Sequence, residues 1–74
     1  MVDWKARIVS LPDVCHGKPC IRGTRVMASS ILGSLAAGFS REEVLANYPG
    51  VRAEDIDAAL AFAADLASYQ TISA

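Results

Sequence analysis

Residues 35–45, Leu-Ala-Ala-Gly-Phe-Ser-Arg-Glu-Glu-Val-Leu, set a helix stop and a helix start almost side by side. Gly38 stands where a left-handed C-terminal cap belongs. Ser40-Arg41-Glu42-Glu43 has the form of a capping box, in which the serine accepts from the Glu43 backbone while the glutamate reaches back. The joint between the two helices is then only about three residues, which forces a compact corner.

The flanking pattern agrees. Ala28, Ile31, Leu32 and Leu35 recur at helical spacing from Met27 to Ala37, and a short helix runs through Val44, Leu45 and Ala46 to the stop at Tyr48-Pro49-Gly50. A third helix is predicted from near Ala53 to about Ser68. Stepping about 100° per residue puts Ile56, Ala59, Leu60, Phe62, Ala63, Leu66, Ala67 and Tyr69 on its apolar half. Ala58, Ala61 and Ala64 then fall on the exposed arc with Glu54, Asp57, Asp65 and Ser68. Glu54, Asp55 and Asp57 sit in the first turn, where the helix dipole favours negative charge. Arg52 is a poor cap residue, so a loosely held start is expected.

Ahead of the helices, Arg7 to Leu11 is rich in β-branched residues and closes on Pro12-Asp13, which predicts a short strand. A lone strand cannot stand in water, and the local partner is Cys20 to Val26, divided by Gly23. Gly17-Lys18-Pro19 reads as the turn between them. The expected fold is mainly α: a three-helix, helix-turn-helix (winged-helix-like) bundle with a short N-terminal β segment. It forms a single domain over 1–74, with a basic extended segment at 1–26, the bundle at 27–69 and a tail at 70–74.

Of the 74 residues 53% are apolar, but 13 are alanine, a thin core for a chain of this size. The excess apolar character hints at a partner surface. Charge divides along the chain. Up to Ser30, Lys5, Arg7, Lys18, Arg22 and Arg25 outweigh Asp3 and Asp13; beyond it, Glu42, Glu43, Glu54, Asp55, Asp57 and Asp65 outweigh Arg41 and Arg52. The two halves are expected to face different partners, or each other across a homodimer. The longest uncharged stretch, Val26 to Ser40, falls short of the ~20 apolar residues that span a bilayer. No secretory signal pattern opens the chain, and two cysteines make no disulfide framework, so a cytoplasmic location is expected.

Cys15, His16 and Cys20 bring three metal-ligating side chains within six residues, yet a tetrahedral site wants a fourth and the chain has no other Cys or His. No metal or other cofactor is expected, although a site shared across a dimer axis stays open. As a nucleophile pair, Cys15 and His16 would project to opposite sides of an extended segment with no third group to orient the base. The acidic pairs Glu42-Glu43 and Glu54-Asp55 are accounted for by capping, so no catalytic residue is assigned and the chain is expected not to be an enzyme.

The densest unusual run is Gly17 to Arg25, with two glycines, a proline and three cations in nine residues. It lacks phosphate-loop spacing. Its cations suit phosphate or carboxylate, and its glycines allow close backbone approach. DNA reading by the third helix would bring Glu54, Asp57 and Asp65 toward phosphates. Any contact to nucleic acid, or to the acidic pocket of a protein partner, is therefore expected from Lys18, Arg22, Thr24 and Arg25, with Arg41 and Arg52 at helix starts. Gly17, Pro19, Gly23, Gly38 and Pro49 are read as structural turns.

Pro12, the run Cys15-His16-Gly17-Lys18-Pro19-Cys20-Ile21-Arg22-Gly23-Thr24-Arg25-Val26, the Leu35 to Leu45 segment, Tyr48-Pro49, and Glu54-Asp55-Ile56 with Ala58-Ala59-Leu60 closely resemble domain-of-unknown-function family four-three-three, from about Ile8 to Ala63. Met27 stands where such proteins often have proline, and Arg52 where a Ser or Thr cap is common. The resemblance implies a three-helix winged-helix-like fold. It also implies a predicted antitoxin of a type II toxin-antitoxin pair, whose toxin is a PIN-like ribonuclease. The expected function is neutralisation of that nuclease, with autoregulation by binding operator DNA. The alternatives are a stand-alone helix-turn-helix DNA-binding regulator and a structural dimerisation module.

Overall fold

A computed structural model describes residues 3–69. Three helices, α1 (Ala28–Ala36), α2 (Arg41–Asn47) and α3 (Ala53–Tyr69), follow an N-terminal segment that contains strands β1 (Ile8–Val9) and β2 (Cys20–Ile21). Two short 3-10 turns, Trp4–Ala6 and Cys15–Gly17, flank β1 and β2. The chain is thus mainly α with a two-stranded antiparallel sheet. Residues 70–74, expected as a tail, lie outside the described residues.

The α1–α2 corner forms as its sequence dictates. Gly38 adopts φ +97°, its N–H donates to the Leu35 carbonyl, and the Phe39 N–H donates to the Ser34 carbonyl. This is the paired bonding of a left-handed helix terminus. Ser40 Oγ accepts from the Glu43 N–H at 3.1 Å while Glu43 Oε1 accepts from the Ser40 N–H at 2.9 Å. Such a box satisfies two helix-end donors that otherwise have no partner within the helix.

The strands are shorter than expected. Ile8 faces Ile21 and Val9 faces Cys20, but the segment to Val26 doubles back instead of running extended. Gly23, at φ +80°, lets the chain reverse. The Ile21 N–H then reaches the Val26 carbonyl at 2.9 Å and the Thr24 N–H reaches the Ile21 carbonyl at 3.0 Å. Thr24 Oγ1 fixes the turn from inside, donating to the Ile21 carbonyl at 2.8 Å and accepting from the Val26 N–H at 3.0 Å. Cys20 meets Met27 in an isolated bridge. Met27 offers α1 no side-chain cap, and the Pro19 carbonyl takes the Ala28 N–H instead, at 3.0 Å.

The turn expected at Gly17-Lys18-Pro19 starts earlier. Cys15 (φ +51°), His16 (φ +55°) and Gly17 (φ +79°) are all left-handed, and Lys18 is already extended. Cys15 and His16 do not lie in an extended segment, so the expected opposite projection does not apply.

The core joins Ile8 and Ile21 on the inner face of the sheet to Ala28 and Ile31 of α1, Val44 of α2, and Val51, Ile56, Ala58 and Ala59 around α3. Two expectations for α3 do not hold. Ala58 and Ala61 are buried, whereas Leu60 and Leu66 are about half exposed. The reason is that α3 is covered from two directions. The N-terminal segment packs Trp4 edge-on against Phe62, with ring centroids 4.9 Å apart, and α1 covers another side. A single apolar stripe therefore misjudges which residues are covered.

The start of α3 is also firmer than the cap residue suggests. Asp55, in the first turn, accepts the Arg52 N–H at 2.9 Å. That bond satisfies the cap residue's own N–H, the reciprocal half of a capping box, and ties down the first turn although the Arg52 side chain offers no acceptor.

Candidate functional site

The turn from Arg22 to Arg25 is a ridge between two grooves, because Gly23 and Thr24 line both. The first groove, of about 500 Å3, is cationic: Arg7, Arg22 and Arg52 line it with Ala6, Gly50 and Asp55. Three separate parts of the chain supply its arginines. Arg22 is steadied by its Nε donating to the Ala6 carbonyl at 3.0 Å. Arg7 is held by Asp55, with Nη1 to Oδ1 at 3.1 Å. Arg52 arrives with the start of α3.

The second groove, of about 380 Å3, lies on the outer face of the sheet. Val9, Leu11, Val14 and Cys20 form its apolar walls and Arg25 completes it. Val9 and Cys20 are cross-strand partners, so they share one face, opposite the face that Ile8 and Ile21 turn into the core. Leu11 is 48% exposed. Cys15 Sγ donates to the Arg25 carbonyl at 3.1 Å, which ties the left-handed turn to the base of the ridge. Burial pushes the Cys20 thiol above its ordinary value, and the adjacent Cys15 pushes it further in the same direction.

The sequence-derived site residues therefore divide. Arg22, Thr24, Arg25 and Arg52 gather around the ridge. Lys18 lies at a third groove, of about 330 Å3, with Pro19, Leu32, Phe62 and Leu66. Arg41 stands apart, pairing with Asp57 Oδ1 at 2.9 Å and the Ala53 carbonyl at 3.3 Å, so its charge joins α2 to α3. Of the turn residues, Gly17 and Gly23 shape the basic segment, Gly38 ends α1, and Pro49 lies between α2 and α3, where the Val51 N–H closes on the Tyr48 carbonyl. Sequence reasoning missed Arg7, Leu11 and Val14 as site residues. Arg7 carried no local signal, since its partner Asp55 is 48 positions away. Among the described residues, no group of three or more His, Cys, Asp or Glu side chains is placed to hold a metal ion. Among them, no helix is long and apolar enough to cross a membrane.

The architecture is mainly α, three helices with a small two-stranded sheet and a basic ridge, and its relatives give the family. Residues 8–63 match the family model described as Protein of unknown function (DUF433), and the chain belongs to that family. It is 41% identical over 56 residues to the uncharacterized protein y4eO of Sinorhizobium fredii (strain NBRC 101917 / NGR234), covering 76% of this chain and 25% of that protein. The crystal structure of a DUF433 member protein from Anabaena variabilis ATCC 29413 superposes with a TM-score of 0.72 at 38% identity, covering 78% of this chain and 57% of that one. The chain thus spans a quarter of y4eO and little more than half of the Anabaena protein.

Proposed function

We propose that this chain is a non-enzymatic, cytoplasmic antitoxin that neutralises a PIN-like ribonuclease. The observation that carries the reading is the pairing of Arg25 with the apolar groove of Val9, Leu11 and Val14. An exposed arginine beside an open apolar pocket has the character of a protein-interface anchor. A PIN-type active site groups carboxylates around a divalent metal, and a guanidinium entering it pairs with those carboxylates and competes with the ion. In this reading the antitoxin is a homodimer. Leu60 and Leu66, half exposed on α3, support such a contact.

The test is co-expression with the PIN-like nuclease from the neighbouring reading frame, followed by an RNA cleavage assay. Co-purification and suppressed cleavage support the reading. Separate elution with undiminished cleavage contradicts it.

A second reading is a helix-turn-helix DNA-binding regulator, favoured by the short joint between α2 and α3. Its α3 carries exposed Glu54 and partly exposed Asp57, so phosphate contacts fall to Lys18, Arg22, Arg25 and Arg52. Four such contacts would give a slope of log affinity against log salt of about −3.6 on B-DNA. Failure to retard upstream DNA at low salt contradicts this reading.

A further inference from the structure

We propose that the cationic groove between Arg22 and Arg52 is a binding site for a phosphomonoester dianion. Three guanidinium groups against the single carboxylate of Asp55 leave two positive charges in the lining. Arg7 is the one already matched: its Nη1 sits 3.1 Å from Asp55 Oδ1. The other Asp55 oxygen is taken by the Arg52 N–H. Glu54, 3.9 Å from Arg7 Nη2, is outside the lining. Arg22 uses only Nε on the Ala6 carbonyl, so among the described residues its two terminal nitrogens, and the whole Arg52 guanidinium, have no protein acceptor.

The chemistry selects the ligand. A carboxylate or a phosphodiester brings one charge and leaves one guanidinium unmatched. A phosphomonoester brings close to two charges and three strong acceptor oxygens. Gly23 and Gly50 put bare backbone in the wall. A groove of about 500 Å3 has room for the phosphate and the first atoms of its ester group. This site lies across the ridge from the surface assigned to the nuclease, and it does not depend on that assignment.

The test uses the isotopically labelled chain alone. Inorganic phosphate, O-phosphoserine and adenosine 5′-monophosphate are titrated separately against acetate and chloride at matched ionic strength, with amide shifts read by NMR. Saturable shifts at Gly23, Thr24, Gly50 and Arg52, at least about tenfold tighter than acetate, are expected. Because no histidine lines the groove, binding of the phosphomonoesters should weaken as pH falls from about 7.5 to 5.5 and they lose their second charge, whose pKa is about 6. Arg22→Gln and Arg52→Gln should each weaken binding at least about fivefold, while Lys5→Gln, on the 3-10 turn outside the groove, should not. The ranking among the three probes tells free phosphate, phosphopeptide and nucleotide sources apart, and any ranking with those features supports the site. Equal shifts in chloride, binding as tight by acetate, or indifference to both arginine substitutions would overturn it.

Discussion

Arg7 Nη1 lies 3.1 Å from Asp55 Oδ1, and Asp55 is buried at 5% exposure. Because Asp55 also takes the Arg52 N–H, one carboxylate both ends the cationic groove and fixes the first turn of α3. Asp55→Ala removes a cap and leaves Arg7 without its buried partner. A loss of about 2–3 kcal/mol in urea unfolding is expected. Asp55→Asn, which keeps an acceptor, should cost about half as much. Equal stability of Asp55→Ala and wild type would show that the bond carries nothing.

Trp4 is the chain's single tryptophan. Its ring meets Phe62 edge to face, at 75° between planes, and its Nε1 donates to Asp65. Trp4→Ala should therefore cost about 2 kcal/mol, below the range for a fully buried tryptophan because Trp4 is only half-buried. Tryptophan fluorescence and helical circular dichroism should report one common unfolding midpoint. An earlier fluorescence transition would mean that the N-terminal segment detaches from α3 before the bundle melts.

His16 holds φ +55° and ψ +35°, a left-handed conformation that costs an L-residue roughly 1–2 kcal/mol. Glycine relieves that strain but loses more entropy on folding. His16→Gly is expected to stabilise the fold by about 0.5 kcal/mol in thermal melts. A clear destabilisation would show that the imidazole itself makes contacts that offset the strain.

Cys20 is buried and its thiol is raised by that burial first and by Cys15 second. Maleimide at about pH 8 should therefore modify Cys15 in the folded protein and reach Cys20 only on unfolding. A folded-state pKa above the unfolded one contributes stability below the unfolded value, and that contribution is lost as pH rises through the folded value. The alkaline fall in stability should thus be smaller in Cys20→Ala than in the wild type. Equal labelling of both thiols in the folded chain would contradict the burial argument.

Local signals carried most of the fold into view. Gly38 and the Ser40–Glu43 box act within a few residues of themselves, so pattern and geometry coincide. The same holds for the basic ridge, whose Gly23, Thr24 and Arg25 are consecutive. What escaped depends on long-range packing. Trp4 against Phe62 and Arg7 against Asp55 bring the N-terminus onto α3. With that second covering, Ala58 and Ala61 become interior and Leu60 is left outside. The loose start expected at Arg52 overlooked a local bond: Asp55, three residues on, accepts the Arg52 N–H and ties the first turn back to the cap residue.

In the proposed function, Arg25 and the apolar groove beside it engage a PIN-like nuclease. An inhibition titration tests this: RNA cleavage by a PIN-like nuclease encoded beside this chain is measured against increasing amounts of the chain, wild type or substituted. Wild type is expected to suppress cleavage, and Arg25→Ala and Leu11→Asp should each raise the half-inhibiting concentration by at least about tenfold, with circular dichroism unchanged. Equal inhibition by all three proteins, or inhibition by none, would contradict it.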